Sequence, residues 1–320
     1  MLASCAIAPL LALGSLAVRS ASAPAYPVKP IRIVTAEPGG GNDFAARTLG
    51  QAVGPHLGQQ WVVDNRGGAG GMIAADIVAK AAPDGYTLLV YASNIWIIPL
   101  LRRDVPYTMN DLAPVSWVAR SPNILVVHPS IAVHSVQELI QHARTYPGKV
   151  SYASGGAGST THLAAELFKS MAKLDIVWVP YKGNSPALID LAAGRVQLMF
   201  GTASSVAPYV KSGRLKAIAV TSTEPSVLAP GLPTVAAAGL PGYESGSIYG
   251  VFAPARTPRG IVDRLNAAIV AMLQTPAVKD RFLASGVETV GSTPERFAEV
   301  IRTDTARMSK VIKDAGIRVD

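Results

Sequence analysis

The chain has 320 residues, of which 49% are hydrophobic and 16% are charged. This composition is typical of a globular protein, and the length exceeds what one hydrophobic core usually organises, so we expect two domains. The formal net charge of +8 favours anionic ligands. However, the basic residues are scattered singly and only 6% of the residues are aromatic, whereas a nucleic-acid-binding surface gathers basic residues into a patch. We therefore expect no nucleic-acid partner.

The first 25 residues are typical of a secretory leader. Residues 2–18 are apolar and small, and Ala21-Ser22-Ala23 or Ala23-Pro24-Ala25 supplies an A-x-A cleavage pattern before Tyr26. A membrane anchor is the alternative, but the run barely reaches the ~20 apolar residues of a spanning helix. No Lys or Arg precedes the run, which leaves the true start and the cleavage site open. The single cysteine, Cys5, lies in this leader, so we expect a periplasmic protein without a disulfide or a thiol nucleophile.

From Ile31 onwards, short β-branched runs alternate with glycine-rich turns and helical stretches, which is typical of strand–helix–strand units. The pattern restarts near Ser121-Pro122, and the last helix carries an apolar face that we expect to pack back on the first lobe. We therefore predict an α/β protein with a leader at 1–25, a discontinuous first lobe at 26–123 plus 251–320, and a second lobe at 124–250. The predicted strands are 31–35, 61–63, 86–92, 124–128, 150–153, 176–179, 196–200, 215–221 and 248–253. The predicted helices before residue 248 are 44–56, 72–81, 135–146, 161–171 and 186–193.

Three glycine-rich turns each follow a predicted strand and open a helix. A turn of this kind presents backbone N–H groups at the positive end of the helix dipole, so an anion finds donors without a formal cation. The dipole alone gives ~0.3–1 kcal/mol, whereas micromolar binding needs about 8 kcal/mol. Hydrogen bonds from amides and hydroxyls therefore have to supply most of the affinity for a carboxylate or phosphate. The turns are PGGGND at 38–43, RGGAGG at 66–71 and SGGAGSTT at 154–161.

Motifs for catalysis or for cofactors are absent from the sequence. None of the turns matches the full dinucleotide fingerprint or the P-loop, and no G-x-S-x-G elbow occurs. The five histidines lack metal-ligand spacing. We expect no cofactor, no metal and no catalytic group. Two alternatives stay open: His162 either faces the cleft or packs inside, and a periplasmic hydrolase or lyase would use it with Ser154, Ser159 or Lys182.

At these turns the sequence resembles the Bug, or TctC-type, family of periplasmic receptors for tripartite tricarboxylate transporters, over nearly all of residues 26–318. The resemblance implies a Venus-flytrap fold, in which two lobes, each a mixed β-sheet flanked by helices, close by hinge motion on a small organic acid. It implies binding of an organic acid, often a dicarboxylate, a tricarboxylate, an aromatic carboxylate or an amino acid, rather than turnover. The matching stretches are residues 26–34, PGGGND at 38–43, VDNRGGAGG at 63–71, AKAAPDGYTLL at 79–89, YASGGAGS at 152–159, VPYKG at 179–183, LPTV at 232–235 and GLPGY at 239–243.

By the family's pattern, the 154–161 turn and its helix hold a carboxylate, and the 38–43 turn closes over the ligand. Two positions depart from the pattern: Ala36-Glu37, where an aromatic residue and small or proline residues are common, and Gly201-Thr202, where Asp-Asn is common. Gly201 removes a partner for a ligand ammonium, which disfavours amino acids, and Glu37 either points into the cleft or lies at a solvated loop edge. The expected ligand-binding residues are Pro38, Gly39, Gly40, Gly41, Asn42, Asp43, Ser93, Ser154, Gly155, Gly156, Gly158, Ser159, Thr160, His162, Tyr181, Lys182, Gly201 and Thr202.

The expected partners follow from the same resemblance. We expect a monomer that hands a small carboxylate to the membrane permease subunits of a tripartite tricarboxylate-type transporter. A receptor that signals through a sensor kinase or another membrane partner is the alternative.

Overall fold

One long strand runs through both halves of the molecule and joins two mixed β-sheets. The computed structural model describes residues 26–36, 38–155, 158–181 and 183–317. The predicted leader with Cys5, and the candidate residues Glu37, Gly156 and Lys182, lie outside this part of the chain. None of the helices in the described ranges combines the length and the apolarity that crossing a membrane requires.

The first sheet has its parallel strands buried on both faces. Ile33 and Leu88 pack on one side of it, and Val34 and Leu89 pack on the other, which is why these strands read as continuous apolar runs. Three helices connect the strands in the manner of β–α–β units. The elements are β1 (Ile31–Thr35), α1 (Gly41–Leu57), β2 (Trp61–Asn65), α2 (Met72–Ala79), β3 (Thr87–Ala92) and α3 (Asn94–Leu101).

The long strand β4 spans Leu112–Val127, and its partner β9 spans Gly246–Pro254. Residues 112–122 of β4 pair with β9 in the first sheet, and residues 123–127 pair in the second sheet. The predicted strand at 124–128 covers only the last part of β4, whose earlier part contains Pro114 and Pro122, a residue type that is rare in central strands. The structure accommodates Pro114 at a register shift between Pro114 and Ser116, where the ladder is locally irregular. The predicted lobe boundary at residue 124 therefore falls inside a strand.

The second sheet repeats the architecture of the first. Its strand order continues from β4 through β7 and β5 to β6, while β8 lies on the other side of β4. Strand β5 is parallel to both β6 and β7, and β4 is antiparallel to β7. The helix α7 was not predicted. The elements are α4 (Val136–Thr145), β5 (Ser151–Ser154), α5 (Thr160–Ala172), β6 (Val177–Pro180), α6 (Asn184–Ala192), β7 (Leu198–Thr202), α7 (Ala203–Lys211) and β8 (Lys216–Val220).

The C-terminal segment contains α8 (Arg259–Leu273), α9 (Pro276–Ala284), the short strand β10 (Glu288–Thr289) and the long helix α10 (Pro294–Ala315). The apolar face of α10 is buried, as its periodicity predicts. However, α10 contacts α3 and β4 and also α5 of the second sheet, so it does not pack on the first lobe alone. The helix thus braces both halves of the molecule.

A buried polar chain fixes α10 in this position. The indole N–H of Trp96 in α3 donates to Asp304 Oδ2 over 2.8 Å. Arg307 then donates to Asp304 Oδ1 over 2.6 Å and to Glu244, ahead of β9, over 2.7 Å. Burial opposes the charge of Arg307, but the two carboxylates outweigh it and raise its pKa above the usual range. Helix α3, helix α10 and the segment that precedes β9 are therefore tied together.

The close contact between β9 and α10 gives a stability test. A Cβ on Gly250 would lie 2.0 Å from Cζ of the buried Phe297, so we expect Gly250→Ala to lower the free energy of unfolding by about 1–3 kcal/mol through overpacking. Urea denaturation measures this change. Gly260→Ala is the matched control, since a Cβ there meets nothing within 4 Å, and alanine in a helix is favoured by about 0.5–1 kcal/mol. A Gly250→Ala protein as stable as the parent would contradict the packing of α10.

Candidate functional site

The strand ends of the two sheets point at each other across a gap. Ala92 at the end of β3 is in register with Tyr249, which is in register with Ala119 of β4. Thr202 at the end of β7 is in register with Asn123 of β4. Strand β3 has the same direction as β4, and β7 is antiparallel to β4. The carboxyl ends of β3 and β7 therefore face each other, separated along β4 by four residues, or about 13 Å. Ligands of open α/β sheets bind outside such carboxyl ends, so this gap is the candidate site.

The 38–43 turn, which follows β1, is held by the carboxylate of Asp43. Gly39 N–H donates to Asp43 Oδ2 over 2.9 Å, and the Asn65 side chain donates to Oδ1 over 2.8 Å. Arg47 donates to the same carboxylate over 3.0 Å. Burial would raise the pKa of Asp43, but these hydrogen bonds hold it below the usual range. Asp43 therefore shapes the turn, with its oxygens already occupied.

Two polar atoms of the first sheet's edge lack partners. Ser93 follows β3 and is only 1% exposed, and its Oγ has no hydrogen-bond partner among the described residues. The Oδ1 atom of Asn42 is likewise buried without a partner in that part of the chain. A buried polar atom left unbonded costs about 1–3 kcal/mol. Both atoms are therefore candidates for contact with a ligand or its water shell.

Two backbone amides of the 154–161 turn donate to side chains at the start of α5. Gly155 N–H donates to Thr161 Oγ1 over 3.0 Å, and Gly158 N–H donates to His162 Nδ1 over 3.1 Å. Ser159 is the N-cap of α5 and accepts from the N–H of His162 over 3.2 Å. The first amides of a helix have no acceptor within it, so those of Thr160 and Thr161 remain as donors at the positive end of the dipole. These two amides form the candidate anion cradle.

His162 lies beneath this turn and is only 2% exposed. Its ring stacks on Trp178 at a centroid distance of 4.0 Å and lies nearly parallel to the Tyr152 ring at 6.4 Å. Burial, with a smaller contribution from the charge of Lys169, lowers the pKa of His162 to about 4. Of the two readings of His162, the structure shows the packed one, and the ring is neutral at physiological pH.

The remaining candidates lie around these two turns. The Ser154 hydroxyl accepts from the Trp178 indole over 2.8 Å, and the Tyr181 hydroxyl donates to Asp190 over 2.8 Å. The pKa of Tyr181 is raised by burial and by this carboxylate. Thr202 begins helix α7 and bonds to Ser205 over 2.8 Å. The hydroxyls of these residues are therefore held by the protein itself.

Position 201 faces a helix. A Cβ on Gly201 would lie 2.4 Å from Val206 Cγ1 in α7, so an acidic side chain here would have to displace a buried valine. The glycine therefore reflects packing against α7. It gives no argument about which ligands the site accepts, contrary to our inference from the sequence.

Three contributors to the site were missed in the sequence. Asn65 stands at the end of β2, directly before the second glycine turn, and that position was the available signal. Tyr249 in β9 places its hydroxyl where a Cβ of Gly41 would lie 2.5 Å away, and burial raises its pKa. Trp178 reaches the site only because β5 and β6 pair in parallel, with Tyr152 in register with Trp178. No local sequence pattern predicts that Tyr249 or Trp178 lies at the site.

The described residues of the hydrolase alternative, Ser154, Ser159 and His162, are engaged in other hydrogen bonds. The hydroxyls of Ser154 and Ser159 accept from Trp178 and from the N–H of His162, and the Nδ1 atom of His162 accepts from Gly158. Nucleophilic catalysis needs a hydroxyl bonded to a free base. Within the described ranges, no group of three or more histidine, cysteine or acidic residues could hold a metal ion.

A family model described as the tripartite tricarboxylate transporter family receptor, TctC, matches residues 45–317. The chain belongs to this family. As a TctC-type receptor it is a solute-binding protein of a transport system, and the family membership confirms the expectation that it is not an enzyme.

Similar solved structures support the same assignment. A protein of R. palustris solved with adipate is 38% identical, with a TM-score of 0.74, over 92% of this chain and 99% of that one. A structure described as a periplasmic transporter is 37% identical, with a TM-score of 0.74, over 92% and 100%. MatC from Rhodopseudomonas palustris with bound malate is 29% identical, with a TM-score of 0.70, over 90% and 100%. The expected α/β periplasmic-binding-protein fold, with mixed sheets flanked by helices, is confirmed.

The role of Asp43 in the 38–43 turn can be tested through its pH dependence. Because its pKa is lowered in the native state, its contribution to stability is complete above the unfolded pKa of about 4 and is lost as the pH falls through the native pKa. We expect Asp43→Asn to cost about 1–3 kcal/mol at neutral pH, and the difference from the parent to vanish in acid. Urea denaturation over a pH series measures this. Asp104→Asn, at an exposed carboxylate bonded to Arg102, should change the stability much less, because solvent screens an exposed ion pair. A cost for Asp43→Asn that is independent of pH would contradict the account.

Proposed function

We propose that this TctC-type receptor captures a small dicarboxylate between its lobes, 26–123 plus 251–320 and 124–250. The observation that carries the proposal is the position of Thr160 and Thr161 at the start of α5, where backbone amides have no acceptor within the helix. They lie on the side of the gap opposite the 38–43 turn. A small organic acid fits a gap of about 13 Å along β4.

The second sheet's side of the gap suits one carboxylate. Backbone amides at a helix N-terminus donate to an anion without a counter-charge, and hydrogen bonds to charged groups contribute about 1.5–3 kcal/mol each. Two amides together with the nearby Thr160 hydroxyl would account for much of the about 8 kcal/mol that micromolar affinity requires. The proposed receptor therefore recognises one end of its ligand as a carboxylate of any small acid.

The first sheet's side would meet the other end of the ligand. There Ser93 Oγ and Asn42 Oδ1 have no hydrogen-bond partner in the described part of the chain, and both atoms suit a polar end group or the water bound to it. The similar proteins solved with adipate and with malate each hold a dicarboxylate. We extend that ligand class to this chain, with selectivity among dicarboxylates set by the first lobe.

The proposed cellular role follows from the family. The A-x-A pattern before Tyr26 supports export to the periplasm through a leader at 1–25. There the receptor, as a monomer, would bind its ligand and deliver it to the membrane permease subunits of a tripartite tricarboxylate transporter. Closure of the two lobes on the ligand would be the signal for delivery.

Ligand binding is tested by calorimetric titration of protein freed of co-purified ligand. We expect adipate or malate, or another dicarboxylate of similar length, to bind with micromolar affinity. The dimethyl ester of the same acid should not bind, because it lacks the charged acceptor. Absence of binding across a panel of dicarboxylates, tricarboxylates and aromatic acids would contradict the proposal.

The turn itself is tested by a pair of glycine variants. Gly158 and Gly213 both adopt a φ of 72°, so alanine imposes similar backbone strain at each. Gly213 lies in an exposed turn after α7, away from the site, and a Cβ there meets nothing within 4 Å. We expect Gly158→Ala to weaken dicarboxylate binding about tenfold or more, and Gly213→Ala to leave the affinity unchanged. Equal affinities for the two variants would contradict the role of the 154–161 turn.

A further inference from the structure

A closed circuit of contacts joins the two ends of the 154–161 turn. At one end, Ser154 Oγ accepts from the Trp178 indole over 2.8 Å. The Trp178 ring stacks on the His162 ring at 4.0 Å, with 19° between the planes. At the other end, His162 Nδ1 accepts from Gly158 N–H over 3.1 Å. Gly158 is therefore connected to Ser154, at the start of the turn, through the stacked rings of His162 and Trp178.

We propose that His162 is a positioning residue for ligand binding: its Nδ1 atom fixes Gly158, and thereby aims the Thr160 and Thr161 amides at the gap. This inference rests on the proposed function, because it assigns the origin of affinity at the same site. His162 does not contact the ligand. It acts through the backbone that it holds.

The geometry requires both a flat ring and an acceptor at this position. Gly158 has a φ of 72°, a conformation that glycine adopts readily. The hydrogen bond from its N–H to Nδ1 selects that conformation. The ring also stacks on Trp178 and lies nearly parallel to the Tyr152 ring, and it is almost fully buried, so packing restricts its position. Because packing already restricts the His162 ring, the bond from Gly158 to Nδ1 costs little additional side-chain entropy.

The charges around the ring are consistent with an acceptor role. Nε2 lies 4.0 Å from Glu166 Oε1, and that oxygen lies 3.9 Å from Lys169 Nζ. The hydroxyl of Tyr152 donates to the same carboxylate. The Glu166 charge is thus shared between Lys169 and Tyr152, and burial keeps the His162 ring neutral. In the neutral ring with Nδ1 as acceptor, the proton resides on Nε2, on the side of Glu166.

Two substitutions separate the acceptor from the ring. His162→Phe keeps a flat ring that can stack on Trp178 but removes the acceptor. His162→Asn loses the ring but can place an amide oxygen where Nδ1 stood. We expect the phenylalanine variant to bind a dicarboxylate about tenfold or more weakly than the parent, and the asparagine variant to recover most of the affinity. Calorimetric titration with adipate or malate, whichever the parent binds more tightly, measures both.

The Gly158 amide provides a readout that needs no ligand. In ¹⁵N-labelled protein we expect its hydrogen exchange to be slow in the parent and in His162→Asn and faster in His162→Phe, with amides of the first sheet unchanged. Long-range ¹⁵N spectra of the parent's imidazole should show Nδ1 unprotonated. The amides of the first sheet report any global loss of stability, so they separate a local change at Gly158 from general unfolding.

The outcomes separate the two proposals. A parent that binds no carboxylate refutes the proposed function, while Gly158 exchange still tests the role of His162. A parent that binds, together with a phenylalanine variant of equal affinity, overturns the positioning role. So does a protonated Nδ1, or a loss of affinity in both variants that follows a matching loss of melting temperature, since that result indicates a purely structural histidine.

Discussion

Strand β4 is the constraint on which the site depends. Because it continues without a break from the first sheet into the second, it sets the direction and the spacing of every strand that pairs with it. Strand β7 is antiparallel to β4 and β3 has the same direction as β4, so the ends of β3 and β7 face each other across residues 119–123 of β4. The loops after β1, β3, β5 and β7 are thereby gathered at one gap. Helix α10 is bound to α3 through Trp96 and Asp304 and also contacts α5. It therefore links the two sheets a second time.

The two sides of the gap differ in how their polar groups are used. On the first sheet's side, the Asp43 carboxylate is hydrogen-bonded within the 38–43 turn, so the uncharged atoms Asn42 Oδ1 and Ser93 Oγ are the ones left for a ligand. On the second sheet's side, the backbone amides of Gly155 and Gly158 donate to Thr161 and His162. The amides at the start of α5 are the candidate donors to a ligand. Neither side offers a free formal cation among the residues just named. In the proposed binding mode, oriented dipoles would stabilise the carboxylate of any small acid, and selectivity would come from contacts with the opposite end of the ligand.

Much of this could be predicted from the sequence, and the exceptions have physical causes. The glycine turns, most strands and the α/β class follow from local patterns, and the family follows from the motifs at those turns. The first half of β4 was missed; it contains Pro114 and Pro122, a residue type that is rare in central strands, and only a register shift in the pairing with β9 accommodates Pro114. The direction of position 201 and the burial of His162 depend on tertiary packing, which periodicity does not encode. Trp178 and Tyr249 enter through strand register, a long-range property that no single segment reveals.

The most direct test of the account is a crystal structure of the protein with a bound dicarboxylate. The account predicts one carboxylate in the gap, with its oxygens about 2.7–3.1 Å from the backbone nitrogens of Thr160 and Thr161. The other end of the ligand should point towards Asn42 and Ser93. A ligand bound outside the gap, or a carboxylate held only by lysine or arginine side chains, would contradict it.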